Sequence, residues 1–219
     1  MEATTAPGAR SGARPTDATA GESAREAVET VPAPIADPAP LGLGAFALTT
    51  FVLSFFNAGL VSDAGEPIVF GLAIAYGGLA QLLAGMWEFK NNNTFGATAF
   101  TSFGAFWLSL AAYALFFAES IPAENVGDAV GLYLIAWGIF TAYMWIASFR
   151  VSLAVMLVFA LLAPTFVVLG IGDAAGNETI THIGGWLGIA TAVVAWYASF
   201  AGVTNKTFGR VVLPVRPLK

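Results

Sequence analysis

Six long apolar runs, separated by short polar segments, make up the chain from Leu41 to Val203. Each run is close to the ~20 residues that a helix needs to cross a bilayer. Because lipid cannot satisfy open backbone hydrogen-bonding groups, and because no run alternates as a barrel strand would, helices are the predicted structure. The sequence therefore predicts an all-α integral membrane protein with six transmembrane helices, over Leu41–Leu60, Pro67–Trp87, Phe95–Ala118, Val130–Phe149, Val151–Ile171 and Ile180–Val203.

Positive charge is confined to one side of this arrangement. All nine Lys and Arg residues fall in the N-terminal segment, the second loop, the fourth loop or the C-terminal segment, and the other loops carry acidic residues only. Cytoplasmic segments of membrane proteins carry the excess of Lys and Arg. We therefore expect a multi-pass protein of the plasma (inner) membrane with both termini in the cytoplasm. Arg150 also separates the fourth and fifth runs, which together would be too long for one crossing.

Residues 1–36 differ in composition from the rest of the chain. They are rich in Ala, Thr, Glu, Ser, Gly and Pro and contain no aromatic residue. Such a segment cannot bury enough apolar surface to offset the entropy lost on ordering, and it lacks the continuous apolar stretch of a signal peptide. The predicted organisation is a disordered cytoplasmic tail at 1–36, a six-helix transmembrane domain at 37–203 and a cytoplasmic C-terminal tail at 204–219.

Composition excludes several classes of protein. Hydrophobic residues make up 57% of the chain and charged residues 11%, whereas soluble domains have ~25% charged residues. The chain has no cysteine and a single histidine, which argues against disulfides, metal sites and haem. No charged residue lies inside an apolar run, no catalytic motif is present, and no basic patch suits nucleic acid. We therefore expect no enzyme, no cofactor and no nucleic-acid partner, but a membrane passage or a membrane scaffold in the lipid bilayer.

Polar side chains inside the apolar runs are the candidates for a passage. Gln81 places an amide near mid-membrane, where it must either bond a neighbouring helix or face water. Thr98, Ser102, Ala105 and Ser109 follow helical spacing and form one stripe. That stripe suits close packing of helices and a polar pore wall equally well.

Four further features each allow a structural and a functional interpretation. Glu88 with Asn91–Asn93 forms either a polar cytoplasmic mouth or, as we interpret it, an ordinary solvated turn. His182 is interpreted as an interfacial hydrogen-bonding residue rather than a proton sensor. The Gly-x-x-x-Gly motif at 184–188 is interpreted as a packing contact. Pro164 predicts a kink, which is either structural or part of a constriction.

Several motifs resemble a single family. The segment Asp37-Pro38-Ala39-Pro40-Leu41-Gly42-Leu43 resembles the N-P-A-P-L-G-L signature of the acetate uptake transporter family (AceTr, also called SatP or YaaH). Residues 75–107, with YGGLAQ and NTFGATAFTSFGAFW, are similar to that family's second and third helices. Residues 175–188 resemble its sixth helix, and residues 208–214 resemble its C-terminal tail. The resemblance covers residues 37–214 and several motifs in the family's order.

The resemblance implies a six-helix protomer in a homohexameric ring, with a path in each protomer for acetate, and in several members for succinate or other small carboxylates. It places a hydrophobic gate on Phe46, Phe103 and Leu162 and a size-selecting small residue at Ala195. Phe103 stands where the family has Tyr, so this gate should be drier. Asp37 stands where the motif has Asn, which adds a negative charge near the cytoplasmic mouth.

A gate of this composition favours one form of the cargo. A hydrophobic constriction without fixed charge opposes a bare carboxylate, whose desolvation is costly, and passes a small neutral acid more easily. We therefore expect acetate to cross with a proton, while Thr50, Gln81 and Thr101 offer hydrogen bonds on either side of the gate. Two other interpretations stay open: a channel for a small neutral amide such as urea, and a non-transporting scaffold.

Overall fold

Six helices form the part of the chain that a computed structural model describes, which comprises residues 1–2 and 35–218. The predicted disordered tail at 1–36 lies almost entirely outside these residues. All six helices are long and apolar enough to cross a membrane, so the predicted all-α six-helix fold is confirmed. They are α1 Ala39–Asn57, α2 Ile68–Lys90, α3 Thr94–Ser120, α4 Ala123–Ser148, α5 Leu153–Ala175 and α6 Glu178–Phe208.

Most helices extend beyond the apolar runs that predict them. The start of α4 lies at Ala123 rather than Val130, and the end of α6 lies at Phe208 rather than Val203. Hydropathy marks only the part of a helix that faces lipid, whereas polar residues also form and cap helical turns. Glu178 in the first turn of α6 suits the positive end of the helix dipole, and Gly209 ends that helix with φ 62°.

Two helices contain a widened, π-helical turn that the sequence pattern did not predict. One lies at Ala75–Ala80 in α2, directly before Gln81, and the other at Tyr113–Phe117 in α3. Such turns occur frequently at functional sites, because they shift the side chains that follow relative to a regular helix. By contrast, α5 continues through Pro164, whose side chain is exposed.

The helices alternate in direction, so α1, α3 and α5 run one way and α2, α4 and α6 return. We call the end that holds residues 35–38, 91–93 and 209–218 the tail end, and the opposite end, with loops 58–67, 121–122 and 176–177, the acidic end. Within residues 35–218, every Lys and Arg lies at the tail end. The charge separation agrees with the sequence analysis, and the cytoplasmic placement of the tail end stays a prediction.

The helices pack around one apolar core. α1 packs along α6, α6 along α5, and α5 along α4, while α2 packs against α3 and α1. Small residues allow the closest approaches, since a Cβ on Gly184 would collide with Leu169 and a Cβ on Gly188 would collide with Ser54. The glycine motif at 184–188 is therefore a packing contact, as interpreted from the sequence.

The segment at 210–218, which we call the C-terminal strap, folds back against the tail end. Leu153 N donates to Arg216 O at 2.9 Å, and Leu218 N donates to Val151 O at 3.2 Å. The Asn205 amide holds the other end of the strap, because its Oδ1 accepts from the backbone of residues 212 and 213 and its Nδ2 donates to Leu213 O at 2.8 Å. The strap is thus fixed to both α5 and α6.

Candidate functional site

Two of the cavities between the helices adjoin each other, one in each half of the bundle. The tail-end cavity measures about 70 Å³ and is lined by the first halves of α1, α3 and α5, together with Gln81 of α2. The acidic-end cavity measures about 190 Å³ and is lined mainly by the second halves of α1, α3 and α5. A single water needs only about 10–15 Å³ on this measure, so each cavity has room for a small molecule or several waters.

The predicted gate residues lie where the two cavities meet. Phe46 and Leu162 line both cavities, and Phe103 lines the tail-end cavity. Each of the three side chains is at most 4% exposed. The ring centroids of Phe46 and Phe103 lie 5.7 Å apart. Three residues that are distant in sequence are therefore brought together between two cavities, while their role as a gate stays a proposal.

The surroundings of Phe103 explain why a phenyl ring suits this position. Its ring centroid lies 5.4 Å from that of Phe140, 6.0 Å from that of Phe159 and 6.4 Å from that of Phe166. A tyrosine hydroxyl placed among these rings would need a hydrogen-bond partner, and a buried hydroxyl without one costs about 1–3 kcal/mol. The aromatic surroundings therefore favour the drier side chain.

Two of the four predicted path residues line a cavity. Gln81 is 1% exposed and lines the tail-end cavity, whereas Thr50 is 6% exposed and lines the acidic-end cavity. Gln81 Oε1 and Thr50 Oγ1 both lack a hydrogen-bond partner within the described residues. Buried polar atoms are nearly always paired, so these two atoms are candidates to bind a ligand in the cavities. Gln81 and Thr50 therefore line cavities on opposite sides of Phe46 and Leu162, and their role as path residues stays a prediction.

The other two predicted path residues, Thr101 and Ala195, line neither of these cavities. Thr101 packs against α2 where a Cβ on Gly85 would collide with its hydroxyl, so it occupies a close contact between α2 and α3. Ala195 is completely buried and belongs to the core cluster that also holds Phe46 and Leu162. Ala195 therefore lies in the core rather than beside these cavities, and its size-selecting role stays a prediction.

Trp107 is a cavity residue that the sequence analysis missed. Its side chain is 2% exposed and lines the acidic-end cavity. Its indole Nε1 has no hydrogen-bond acceptor in the part of the chain that the structure describes. A sequence signal did exist, since Trp107 follows Phe103 by one helical turn and lies on the same face. A buried Trp usually finds a partner for its N–H, which makes this unpaired donor unusual.

A hydrogen-bonded turn lies beside the tail-end cavity. Asn93 lines the cavity and caps α3, because its Oδ1 accepts from Gly96 N at 3.0 Å. Glu88 is completely buried, and its Oε2 accepts from Asn91 Nδ2 at 3.0 Å. The interpretation of this segment as an ordinary solvated turn is therefore wrong for Glu88, because the α2–α3 turn folds over its carboxylate.

The family-like motif forms the start of α1 at the same end. Asp37 Oδ1 accepts from Ala39 N at 2.9 Å, which satisfies a backbone donor at the helix start. Pro40 O accepts from Ser199 Oγ at 2.6 Å, which ties α1 to α6. Ala39 and Leu43 line the tail-end cavity. The motif therefore contributes to one side of that cavity, and the Asp37 carboxylate is held by the backbone at the start of α1.

A wider acidic vestibule of about 580 Å³ continues from the acidic-end cavity, and the two share Glu66 and Asp173. Asp63, Glu178 and His182 also line the vestibule. Burial raises the pKa of Glu66 above its ordinary value, and the neighbouring Asp63 and Asp173 raise this pKa further. A negative field at an opening lowers the local concentration of anions and raises that of protons and cations.

The polar stripe on α3 lies outside these cavities. Thr98 and Ser102 are half-buried, whereas Ala105 and Ser109 are exposed. Ser109 Oγ lies 2.7 Å from the hydroxyl of Tyr133, and the two share a hydrogen bond between α3 and α4. Ser109 therefore serves a contact between α3 and α4, and the alternative interpretation of the stripe as a pore wall stays a prediction.

Comparisons with known proteins agree with this architecture. The GPR1/FUN34/yaaH family matches residues 20–219. The chain is 41% identical over 186 residues to the succinate-acetate/proton symporter SatP of Escherichia coli (strain K12), covering 83% of this chain and 95% of that protein. It is 43% identical over 183 residues to Ammonia transport outward protein 2 of Saccharomyces cerevisiae, covering 80% of this chain and 65% of that protein.

A solved structure has the same fold. The bacterial acetate channel SatP superposes with a TM-score of 0.78 and 40% identity, over 83% of this chain and 99% of that one. The family and this structural neighbour are transporters and channels rather than enzymes. The resemblance inferred from the motifs is confirmed, and the chain belongs to the GPR1/FUN34/yaaH family.

Proposed function

We propose that this protein moves acetate and related small carboxylates, including succinate, across a membrane together with protons. The observation that carries the proposal is the junction of two cavities at Phe46 and Leu162, with Phe103 against it. The cargo is supported by the similarity to the succinate-acetate/proton symporter and to the acetate channel. In this proposal the three side chains form the gate that the cargo must cross.

The chemistry of the gate favours passage of the neutral acid. Side chains of Phe46, Phe103 and Leu162 offer no hydrogen bond to a carboxylate, and transfer of an unpaired ion into apolar surroundings is strongly unfavourable. Protonation of the carboxylate removes most of this barrier. A buried amide or hydroxyl can then form hydrogen bonds with the oxygen atoms of the neutral acid. Gln81 on one side and Thr50 on the other provide such groups. The acid therefore sheds water at one polar position and meets another after the gate.

The acidic vestibule supports the same mechanism. Its carboxylates repel the acetate anion and raise the local proton concentration, which shifts acetate towards acetic acid at the opening. The raised pKa of Glu66 allows that side chain to hold a proton at a pH at which an ordinary glutamate has lost it. The vestibule therefore favours entry of the neutral acid over entry of the anion.

Radiolabelled acetate uptake into proteoliposomes tests the proposal. The purified protein is reconstituted, and uptake is measured with an inward proton gradient and after the gradient is collapsed. Accumulation that depends on the gradient is expected for movement of acetate with protons. Equal equilibration under both conditions would refute the coupling and leave an acetate channel. No flux above that of empty vesicles would refute acetate as the cargo.

Ammonia is a second candidate cargo, favoured by the acidic vestibule and by the similarity to Ammonia transport outward protein 2. Carboxylates at an opening attract ammonium, and the dry gate would then pass neutral ammonia after loss of a proton. The same vesicles loaded with a pH dye distinguish the cargoes. Alkalinisation of the interior on an ammonium pulse, above that of empty vesicles, would support ammonia.

Placement in the membrane belongs to the same proposal. We expect the tail end in the cytoplasm and a homohexamer in the plasma membrane, supported by the Lys and Arg at the tail end and by the family resemblance. Because the chain has no cysteine, a single introduced cysteine reports whether its position is accessible from outside the cell. An impermeant maleimide added to intact cells should label Ser62→Cys and leave Asn92→Cys unlabelled. The reverse pattern would refute the orientation, and native mass spectrometry tests the hexamer.

A further inference from the structure

The unpaired indole N–H of Trp107 points to a function beyond packing. We propose that Trp107 is a recognition residue that donates this N–H to a carboxyl oxygen of the passing acid, one helical turn beyond the gate. The inference rests on the proposed function and adds to it a specific hydrogen-bond donor in the acidic-end cavity. It is carried by a side chain that is 2% exposed, lines this cavity and has no acceptor within the described residues.

The helical register places Trp107 and Thr50 at the same depth. Thr50 follows Phe46 by four residues on α1, and Trp107 follows Phe103 by four residues on α3. Because α1 and α3 run in the same direction, both residues lie about 6 Å beyond the gate phenylalanines, towards the acidic end. Both residues line the acidic-end cavity. An acid that has crossed the gate, or is about to cross it, therefore meets this pair next to the phenyl rings.

The two polar groups complement a carboxyl group in both protonation states. An indole N–H donates and cannot accept, whereas a threonine hydroxyl both donates and accepts. Trp107 therefore suits the carbonyl oxygen of acetic acid, and Thr50 Oγ1 suits its O–H; for the anion both groups donate. Ammonium has no lone pair to accept from an indole. The pair thus selects a carboxyl ligand, and Trp107 distinguishes the acid from the cation of the second candidate.

The surroundings hold Trp107 in place for this task. Its ring packs edge-on against Phe106, with centroids 5.0 Å apart. On the other side of the gate, the equivalent positions one turn before Phe46 and Phe103 are Gly42 and Ala99, which have no polar side chain. The pair of Thr50 and Trp107 therefore has no polar counterpart at these two positions on the tail-end side. A buried N–H without an acceptor destabilises the folded protein. A hydrogen bond to the carboxyl oxygen of a bound acid would remove this penalty.

The test measures uptake kinetics and binding in the full-length protein. Trp107→Phe keeps an aromatic ring and removes the N–H, and Trp186→Phe is the matched control because Trp186 is 56% exposed and lines none of the described cavities. Loss of one hydrogen bond should raise the acetate concentration for half-maximal uptake about threefold to tenfold in Trp107→Phe. The maximal rate should be retained, and Trp186→Phe should behave as wild type.

A second measurement can refute the inference on the wild-type protein alone. Wild-type protein with ¹⁵N-labelled tryptophan is titrated with acetate, and the indole N–H signals are followed by NMR. One indole signal should shift, and that signal should be missing in Trp107→Phe and present in Trp186→Phe. Titration with ammonium chloride in place of acetate should leave the same signal unmoved.

These measurements separate failure of the inference from failure of the proposed function. If wild-type vesicles take up acetate but the half-maximal concentration is the same in Trp107→Phe, the inference is refuted and the proposed function stands. A wild-type protein in which no indole signal responds to saturating acetate refutes the inference even if Trp107→Phe fails to fold. If wild-type vesicles do not take up acetate at all, the proposed function itself fails.

Discussion

Leu162→Ala tests the gate most directly, because Leu162 lines both cavities and is 3% exposed. Shortening this side chain should join the tail-end cavity of about 70 Å³ to the acidic-end cavity of about 190 Å³. Truncation of a buried leucine costs about 2–5 kcal/mol of stability. Cavities already adjoin this side chain on two sides, so it has fewer packing neighbours to lose, and we expect a cost of about 2–3 kcal/mol, at the low end of that range.

Leu162→Ala should also change the selectivity of the gate. Lactate exceeds acetate by one carbon and a hydroxyl, and a tight apolar site rejects one extra carbon by about tenfold or more. A gate widened by Leu162→Ala should lose that discrimination. Competition by lactate against labelled acetate uptake is the assay, and the lactate concentration for half-inhibition should fall about tenfold relative to wild type.

Leu169→Ala is the matched control for this experiment. Leu169 lies on the same helix and lines the acidic-end cavity but not the tail-end cavity, so it lies away from the gate. Its truncation should leave competition by lactate unchanged. Ala195→Gly should have a smaller effect than Leu162→Ala, because Ala195 lines neither cavity whereas Leu162 lines both. Equal competition by lactate in wild type and Leu162→Ala, with folding intact, would refute the gate.

Three further predictions follow from buried or paired polar groups. Gln81→Leu removes an amide whose Oε1 has no partner, so the melting temperature should hold or rise while acetate uptake falls severalfold. Burial raises the pKa of Glu66, and Asp63 and Asp173 raise it further. Glu66 therefore contributes its full stabilising free energy below the ordinary pKa of Glu, and this contribution is lost as the pH rises through the raised pKa. Glu66→Gln should accordingly melt at a higher temperature than wild type at neutral pH and at the same temperature near pH ~4. Asn205→Ala should release the C-terminal strap and speed trypsin cleavage within it about tenfold, since three hydrogen bonds are lost.

Each of these predictions has a contrary outcome. A clear fall in the melting temperature of Gln81→Leu would mean that the amide bonds a neighbouring helix rather than the cargo. A stabilisation by Glu66→Gln that is the same at every pH would mean that packing, and not titration, is responsible. Cleavage of the strap at the wild-type rate in Asn205→Ala would mean that the contacts to α5 hold the strap alone.

The fold was predictable because the lipid environment imposes a simple rule on the sequence. Backbone groups must be satisfied within each crossing, so every long apolar run becomes a helix, and Arg150 suffices to separate the fourth helix from the fifth. Helix ends were less predictable, because the residues before Val130 and after Val203 are helical without being apolar. The widened turn before Gln81 was not predictable either, since it depends on how α2 packs.

The site was predictable only in part, because spacing in a sequence does not say which neighbour a face meets. Gln81 and Thr101 are both polar residues within apolar runs, yet only Gln81 lines a cavity, while Thr101 packs against the glycine of a neighbouring helix. Trp107 was missed because a tryptophan in an apolar run is normally explained by packing alone. Its unpaired N–H became visible only with the contacts of the folded chain.

The order of environments along the path gives the proposed function a direction. In the proposed mechanism, a cargo that enters from the acidic end meets a carboxylate-lined vestibule, then the layer of Thr50 and Trp107, then the apolar gate, then Gln81 and the Lys- and Arg-bearing tail end. The vestibule disfavours the anion, and the gate disfavours any ion, so both select the protonated acid. In the proposed mechanism, loss of the proton at the tail end leaves an anion that the apolar gate keeps from returning. A proton gradient from the acidic end to the tail end should therefore drive accumulation, whereas the reverse gradient should drive efflux through the same residues.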